Sequence, residues 1–286
     1  MASAFRSADL ILNRDGSVYH LRLLPEMLAE DVILVGDPGR VKKISRLFSK
    51  VDVRVAAREF ITHTGWFSGK RISVVSTGIG TDNVDIVLNE LDALANMELA
   101  ARKPMRTKRS LRFIRVGTSG ALQPDIPVGS LLVSTAALGL DSLGHFYPHR
   151  MTIRQQQLCA SLQAAVGLSI RPYLATGDRG LIDRFGEGMH SGITLTAPGF
   201  YQPQGRPLRH ASRYPMLLEH LTGFRAGTDR LTNMEMETAG LYMLSKVMGH
   251  HAVSLNAVLA NRVTGEFCAQ PEKVVEKLIR TALERI

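Results

Sequence analysis

The chain has 286 residues, 45% hydrophobic and 21% charged, and its 35 Lys and Arg outweigh 26 Asp and Glu to give a formal charge of +9. These proportions exclude a disordered or fibrous protein, and no run approaches the roughly 18 consecutive apolar residues that a membrane-spanning helix needs. Two cysteines, Cys159 and Cys268, cannot build a disulfide framework, and residues 1–13 carry no readable secretory signal, so a reducing, cytoplasmic setting is expected.

Residues 32–35 form an apolar run ended by Gly36-Asp37-Pro38-Gly39, which reads as a buried strand entering a turn. Val41, Ile44, Leu47 and Phe48 then keep helical spacing. Residues 71–76 are a second β-branched run, ended by Gly78-Ile79-Gly80, and residues 84–94 return to a helical period through Val84, Val87, Leu88, Leu91 and Leu94. From Arg102 to Arg115 there are seven Lys or Arg and no acid. The part up to Arg109 reads as a solvated loop before a strand, and the lack of aromatic residues from Arg102 to Arg112 leaves single-stranded nucleic acid without a stacking platform. Residues 111–116 are a third strand, ended by Gly117-Thr118-Ser119-Gly120. Residues 130–135, Tyr173–Thr176 and residues 252–259 read as further strands; Ile153–Val166, residues 235–248 and residues 272–285 read as helices. Strands alternating with helices imply an α/β sandwich around a mostly parallel sheet. No repeat, low-complexity tract or Ser/Gly linker interrupts the pattern, so residues 1–286 are expected to form one domain.

Three glycine-rich turns therefore follow the carboxyl ends of three strands, the edge where open α/β sheets bind ligands. Gly36-Asp37-Pro38-Gly39-Arg40 lacks the Lys-Ser/Thr of a Walker loop and the spacing of a dinucleotide fingerprint. It does set backbone N–H groups at a helix start beside an Arg, which suits a phosphate-sized anion. Arg115-Val116-Gly117-Thr118-Ser119-Gly120 repeats the theme with two hydroxyls. Asn233-Met234-Glu235-Met236-Glu237 interleaves carboxylates with methionines. Helical residues two apart point roughly 200° away from each other, so on a helix only one of Glu235 and Glu237 can face a site. That one would grip the paired hydroxyls of a sugar; the alternative is an acidic helix start. Phe200-Tyr201-Gln202-Pro203-Gln204-Gly205-Arg206 has no period. It reads either as a linker or as a functional loop whose Phe, Gln amide and Arg meet a flat heterocycle.

In this order and spacing, Gly36-Asp37-Pro38-Gly39-Arg40, Arg58-Glu59-Phe60, Ser76-Thr77-Gly78-Ile79-Gly80, the Arg115–Gly120 segment, Glu235-Met236-Glu237 and Asn261-Arg262 resemble the nucleoside phosphorylase family, most closely its uridine-cleaving branch. The likeness runs from Val18-Tyr19-His20-Leu21 to about Glu266. It implies a three-layer α/β/α sandwich whose twisted, mostly parallel central sheet is partly closed into a barrel. It also implies a phosphate site of Gly36, Arg40, Arg115 and Thr118, with Arg58 reaching in from a neighbouring subunit. The implied ribose site is Met236 and Glu237 with the neighbour's His20, and the implied base site is Ser119, Gly120, Phe200, Gln204, Arg206 and Arg262. Shared sites imply a homo-oligomer of at least two subunits, and the resemblance points on to a hexamer built as a trimer of dimers. Gly80-Thr81-Asp82-Asn83 departs from the family's Gly-Gly-Pro-Ser, so Asn83 stands, with Glu59 and Ile79, where relatives line a potassium site at the dimer interface. Residues 101–110 look like a basic insertion.

The implied reaction is reversible phosphorolysis of uridine to uracil and ribose 1-phosphate, with phosphate as co-substrate and no other cofactor, potassium at the dimer interface being left open. Cleavage develops oxocarbenium character on the ribose and negative charge on the base. Arg115, Glu237 and Arg206 are the expected catalytic residues: one positions the nucleophile, one the ribose, and one stabilises the departing anion. Purine nucleoside phosphorylases are the alternative within the family, but their hexameric form carries an Asp near purine N7 where this chain has Asn261-Arg262. Hydrolytic nucleosidases lack the arginine cage that Arg40, Arg58 and Arg115 would build. A basic nucleic-acid-binding protein is the alternative of a different class; neither nucleic acid nor membrane is the expected partner.

Overall fold

The computed structural model describes residues 4–286. In chain order the elements are β1 (Asp31–Val35), α1 (Pro38–Ser45), β2 (Lys50–Ala57), β3 (Phe60–Phe67), β4 (Lys70–Ser76), α2 (Thr81–Asn96), β5 (Met97–Glu98) and β6 (Lys103–Pro104). There follow β7 (Arg112–Ala121), β8 (Leu131–Gly139), α3 (Ile153–Val166), β9 (Tyr173–Thr176), α4 (Arg179–Phe185) and β10 (His190–Thr196). The chain finishes with α5 (Leu217–Gly223), β11 (Arg225–Ala226), β12 (Asp229–Glu235), α6 (Thr238–Met248), β13 (His251–Asn261) and α7 (Pro271–Glu284).

Strand periodicity divides the core into layers. In β1, Val32 and Leu34 pack with α2 and α6, while Ile33 and Val35 face the opposite way onto α1, α4 and α7. Burying each such side chain contributes about 1.5–3 kcal/mol, so a one-residue slip of β1 would cost both layers at once. A third cluster seats α3 and α5 against β8, β10 and β12.

The main sheet runs β2-β3-β4-β1-β7-β13-β8-β10-β12-β11, with β9 beside β8. Strand β12 also pairs back onto β7, Asn233 opposite Ala121 and Met234 opposite Gly120, so β7, β13, β8, β10 and β12 close into a barrel. The sheet is more mixed than helix–strand alternation implies. Ladders β4–β1–β7–β13 and β8–β10–β12 are parallel, whereas the β2–β3–β4 flank, the β13–β8 contact and the closing β12–β7 contact are antiparallel. Two-residue turns join β2 to β3 and β3 to β4, which only antiparallel neighbours permit.

Two local expectations are corrected. Gly117-Thr118-Ser119-Gly120 is not a turn; it continues β7 in register with β13. Residues 235–248 are not one helix either: Glu235 ends β12 and α6 starts only at Thr238. The Glu235 carboxylate accepts from the backbone N–H groups of Glu237 and Thr238 at 3.0–3.1 Å, a side-chain bond that replaces the first turn of a helix. The basic stretch is ordered. Its β5–β6 hairpin holds the N-terminal segment through Phe5 N–H to the Arg102 carbonyl, and Asn96 clamps the Arg109 backbone on both sides. Among the described residues no helix is long and apolar enough to cross a membrane.

Candidate active site

A cavity of about 810 Å³ opens where β1 and β4 end and the barrel has its mouth. At one end the chain leaves β1 through Gly36 into α1. Asp37 caps that helix by accepting from Gly39 N–H at 2.8 Å, with Pro38 in the first turn, where its missing N–H costs nothing. Arg40 follows on the same turn and donates to the Val116 carbonyl at 2.9 Å, which aims α1 at β7. Arg115 rises from β7 and lies across Gly117, where a Cβ would come within 1.9 Å of its Nη1. Only glycine leaves that path open. Thr118 lines the same wall.

Arg115 is buried between two carboxylates: its Nη2 donates to Glu237 and lies 3.2 Å from Glu235. Because neither Glu is helical, the opposed directions expected for residues two apart do not apply, and both reach one guanidinium. Their roles still differ. Glu235 is saturated by Thr196, Thr238 and the two backbone N–H groups, whereas Glu237 takes only Gly80 N–H at 2.8 Å besides Arg115. Burial pushes the Glu237 carboxyl above the usual range, an effect that Arg115 offsets in part and Glu235 reinforces. Burial lowers the pKa of Arg40, with Asp37 opposing. Burial would do the same to Arg115, but Glu235 and Glu237 outweigh it and hold that guanidinium above its ordinary value. Met236 lines the same cavity.

At the far end the 200–206 loop is folded rather than loose. A 3-10 turn, Gln202–Gln204, buries Gln204 to 2% exposure, and Arg262 donates to the carbonyls of Gln204 and Gly205 at 3.0 and 3.2 Å. Arg206 donates to Gln204 Oε1 at 2.7 Å and to the Phe200 carbonyl at 2.8 Å, and its guanidinium stacks 4.0 Å over the Phe200 ring. Burial and neighbouring Arg262 push the Arg206 pKa down to about 10. Ser119 and Gly120 line this end, while Arg262 packs behind Gly120 and holds the loop from outside the cavity. Asn261 is spent on structure: its amide donates to the Gln123 and Ile126 carbonyls and accepts from Val263 and Thr264 N–H.

An anion cradle, a carboxylate with free acceptor capacity and a heterocycle-sized slot thus share one cavity. The profile of the phosphorylase superfamily matches residues 30–285. The chain belongs to that superfamily. It is 34% identical over 276 residues to a uridine phosphorylase of Thermococcus kodakarensis, spanning 96% of this chain and 88% of that protein. It is 30% identical over 279 residues to the uridine phosphorylase of Escherichia coli, spanning 94% and 98%. The solved structure of a Trypanosoma brucei nucleoside phosphorylase that shows uridine phosphorylase activity superposes with a TM-score of 0.90 at 27% identity, covering 97% of this chain and 99% of that one.

Two superfamily positions stay out of the chain's own cavity. His20 is held by Glu90 at 2.7 Å, and Arg58 lies over Tyr19, whose ring meets His20 edge-on at 4.9 Å, so the three form one patch. Arg58 takes a left-handed φ of 55° in the two-residue turn after β2, which sends it away from the cavity while neighbouring Glu59 lines it. Glu59, Ile79 and Asn83 do come together there. The Asn83 amide nitrogen lies 3.4 Å from the Ile79 carbonyl. Glu235, which the sequence left open against Glu237, also lines the cavity, as do Met234, Leu259, Ala260 and Phe267, which sequence reasoning did not find as site residues. Phe267 is 69% exposed at the rim, just past the stretch of likeness that ends at about Glu266.

Proposed function

We propose that this chain is a uridine phosphorylase, catalysing reversible phosphorolysis of uridine to uracil and ribose 1-phosphate. The observation that carries the reading is the fixed orientation of the Gln204 amide. An Arg can only donate, so Arg206 forces Gln204 Oε1 to face it and leaves the second lone pair of that oxygen and the Nε2 donors for a ligand. Uracil matches: N3–H donates to Oε1, one carbonyl accepts from Nε2, and the other accepts from Arg206. Phosphate would lie against Gly36, Arg40, Arg115 and Thr118, and Glu237 would take the ribose hydroxyls beside Met236. Ser119, Gly120 and Phe200 would flank the base, and Arg262 would brace its loop.

In this reading the arginines hold the anionic nucleophile under C1′, which supplies proximity and orientation. As the glycosidic bond breaks, negative charge spreads onto uracil, where Arg206 and Gln204 are already aimed. No general acid is required, and the saturated Asn261 amide is not placed to be one for a purine. Arg58 and His20 would serve a neighbouring subunit's site, in dimers that assemble further into a hexamer. The test is uracil release from uridine, followed by absorbance, with and without phosphate and beside cytidine, adenosine and inosine. Phosphate-dependent cleavage of uridine is expected, with Arg115→Ala slower by roughly 10²-fold or more. Phosphate-independent turnover, or kcat/KM for inosine at or above that for uridine, would overturn it.

A further inference from the structure

The barrel interior is polar, and its hydrogen bonds form one chain. Asn256 sits directly opposite Gly117 in the β13·β7 ladder, so Arg115, lying over that glycine, reaches it: Arg115 Nη1 donates to Asn256 Oδ1 at 3.3 Å. Asn256 Nδ2 then donates to Ser134 Oγ at 3.2 Å, Ser134 pairs with Thr194 at 2.5 Å, and Thr194 donates to Asn233 Oδ1 at 2.8 Å. Asn233 Nδ2 ends the chain by donating to Ser119 Oγ at 3.0 Å. Asn256, Ser134, Thr194 and Asn233 are each 0% exposed, and Asn256 does not line the cavity. Each direction is fixed, because the first donor is an Arg and every later group uses the atom its neighbour leaves.

We propose that Asn256 is a positioning residue for phosphorolysis, holding the Arg115 guanidinium in its phosphate-facing pose from inside the barrel. The inference rests on the phosphorylase reading. Glu237 and Glu235 attract Arg115 toward the ribose side, and Asn256 is the neutral acceptor that holds its other terminal nitrogen on the far side. Without it the guanidinium keeps only its carboxylate partners and turns toward them, away from the anion. A neutral amide suits this place, since a third carboxylate would add to the negative charge that repels phosphate.

The experiment is steady-state kinetics of Asn256→Ala with phosphate and uridine varied separately, after confirming an unchanged oligomer and thermal midpoint. The expected result is a KM for phosphate raised about tenfold with KM for uridine within about twofold, a split that general loosening of the barrel would not produce. In an Arg115→Ala background the same substitution should add less than about a threefold further loss, because the two act as one unit. An unmoved phosphate KM, or fully additive losses, would overturn the role of Asn256 alone. Wild-type turnover that ignores phosphate would overturn the phosphorolysis reading beneath it. If Asn256→Ala does not fold, Ser134→Ala removes the hydroxyl that receives the amide, together with its bond to Thr194, and its phosphate KM should rise by about threefold; no change there would equally refute the proposal.

Discussion

Replacing Gln204 by Ala tests base recognition at its narrowest point. The amide is 2% exposed, accepts from Arg206 at 2.7 Å and, in the proposed complex, makes two bonds to the uracil edge. Each buried partner left unsatisfied costs about 1–3 kcal/mol, and the variant strands groups on uracil while freeing Arg206 to move. A total near 3 kcal/mol corresponds to roughly 10²-fold in kcat/KM. Part of it should fall on kcat, because bonds to the departing base strengthen as charge develops there. Cytidine supplies the internal control. Its unprotonated N3 would set a lone pair against Gln204 Oε1, whose direction Arg206 fixes, and its amino group would aim a donor at a donor. Wild type should therefore reject cytidine by several orders of magnitude, and Gln204→Ala should narrow the uridine-to-cytidine ratio even as both slow. The assay is kcat/KM for both nucleosides at saturating phosphate, with thermal midpoints to verify the fold. A uridine kcat/KM within threefold of wild type, or an unchanged ratio, would refute the reasoning.

Subunits carrying Arg58→Ala and subunits carrying Glu237→Ala should each be strongly impaired at subsaturating phosphate, yet recover part of the activity when exchanged, since one site of a mixed dimer inherits neither lesion; no recovery after verified exchange would exclude shared sites. Burial holds the Glu237 carboxyl above its ordinary value of 4.5, so it protonates, and stops accepting from ribose, at higher pH than a free glutamate. The acid limb of kcat/KM for uridine should accordingly have its midpoint above that value and vanish in Glu237→Gln; a limb at or below it, or one surviving the substitution, would contradict this. If the Asn83 amide nitrogen, 3.4 Å from the Ile79 carbonyl, competes with a cation for that oxygen, exchanging sodium for potassium at constant ionic strength should leave rates within about twofold; strong potassium activation would refute the competition.

The elements legible in the sequence are those bounded by punctuation. Strand β1 ends at Gly36-Asp37-Pro38-Gly39, β4 lies between Ser68-Gly69 and Gly78, and α3 runs from the Thr152 cap to Gly167 in a left-handed conformation. Strand β2 alternates Val51, Val53 and Val55 with polar residues, but its turn into β3 is Arg58-Glu59, where an arginine takes the positive φ and no glycine marks it. The strand status of Gly117–Gly120 was hidden for the opposite reason. Glycines there signal a turn, whereas Gly117 is present to let the Arg115 side chain pass and Gly120 to let Arg262 pack behind it. Helical spacing from Thr238 onward runs backward without a break into Glu235, and only the carboxylate's own hydrogen bonds, a tertiary fact, stop the helix. The barrel itself has no local signature, because β7 and β12 meet across half the chain.

In the proposed reading, the charge inside the cavity gives a reason for a neighbouring chain to complete the phosphate site. Half-buried Arg40 and buried Arg115 share the anion end with Asp37, Glu235 and Glu237, so the cations there are already matched by carboxylates. Bringing a phosphate into a corner with no surplus of cations leaves its charge uncompensated, and desolvating an uncompensated anion costs several kcal/mol. A further cation must arrive with it. Arg58 is exposed, makes no ion pair among the described residues, and is held over Tyr19 on the patch that also carries His20. It is thus a cation displayed outward by a left-handed turn, with no carboxylate of its own to answer. If it completes a neighbour's cradle, Arg58→Ala should raise the KM for phosphate far more than that for uridine, and Arg58→Lys should restore only part, since an ammonium brings the charge without the two-pronged donor geometry. Equal effects on both substrates would instead assign Arg58 to holding the subunits together.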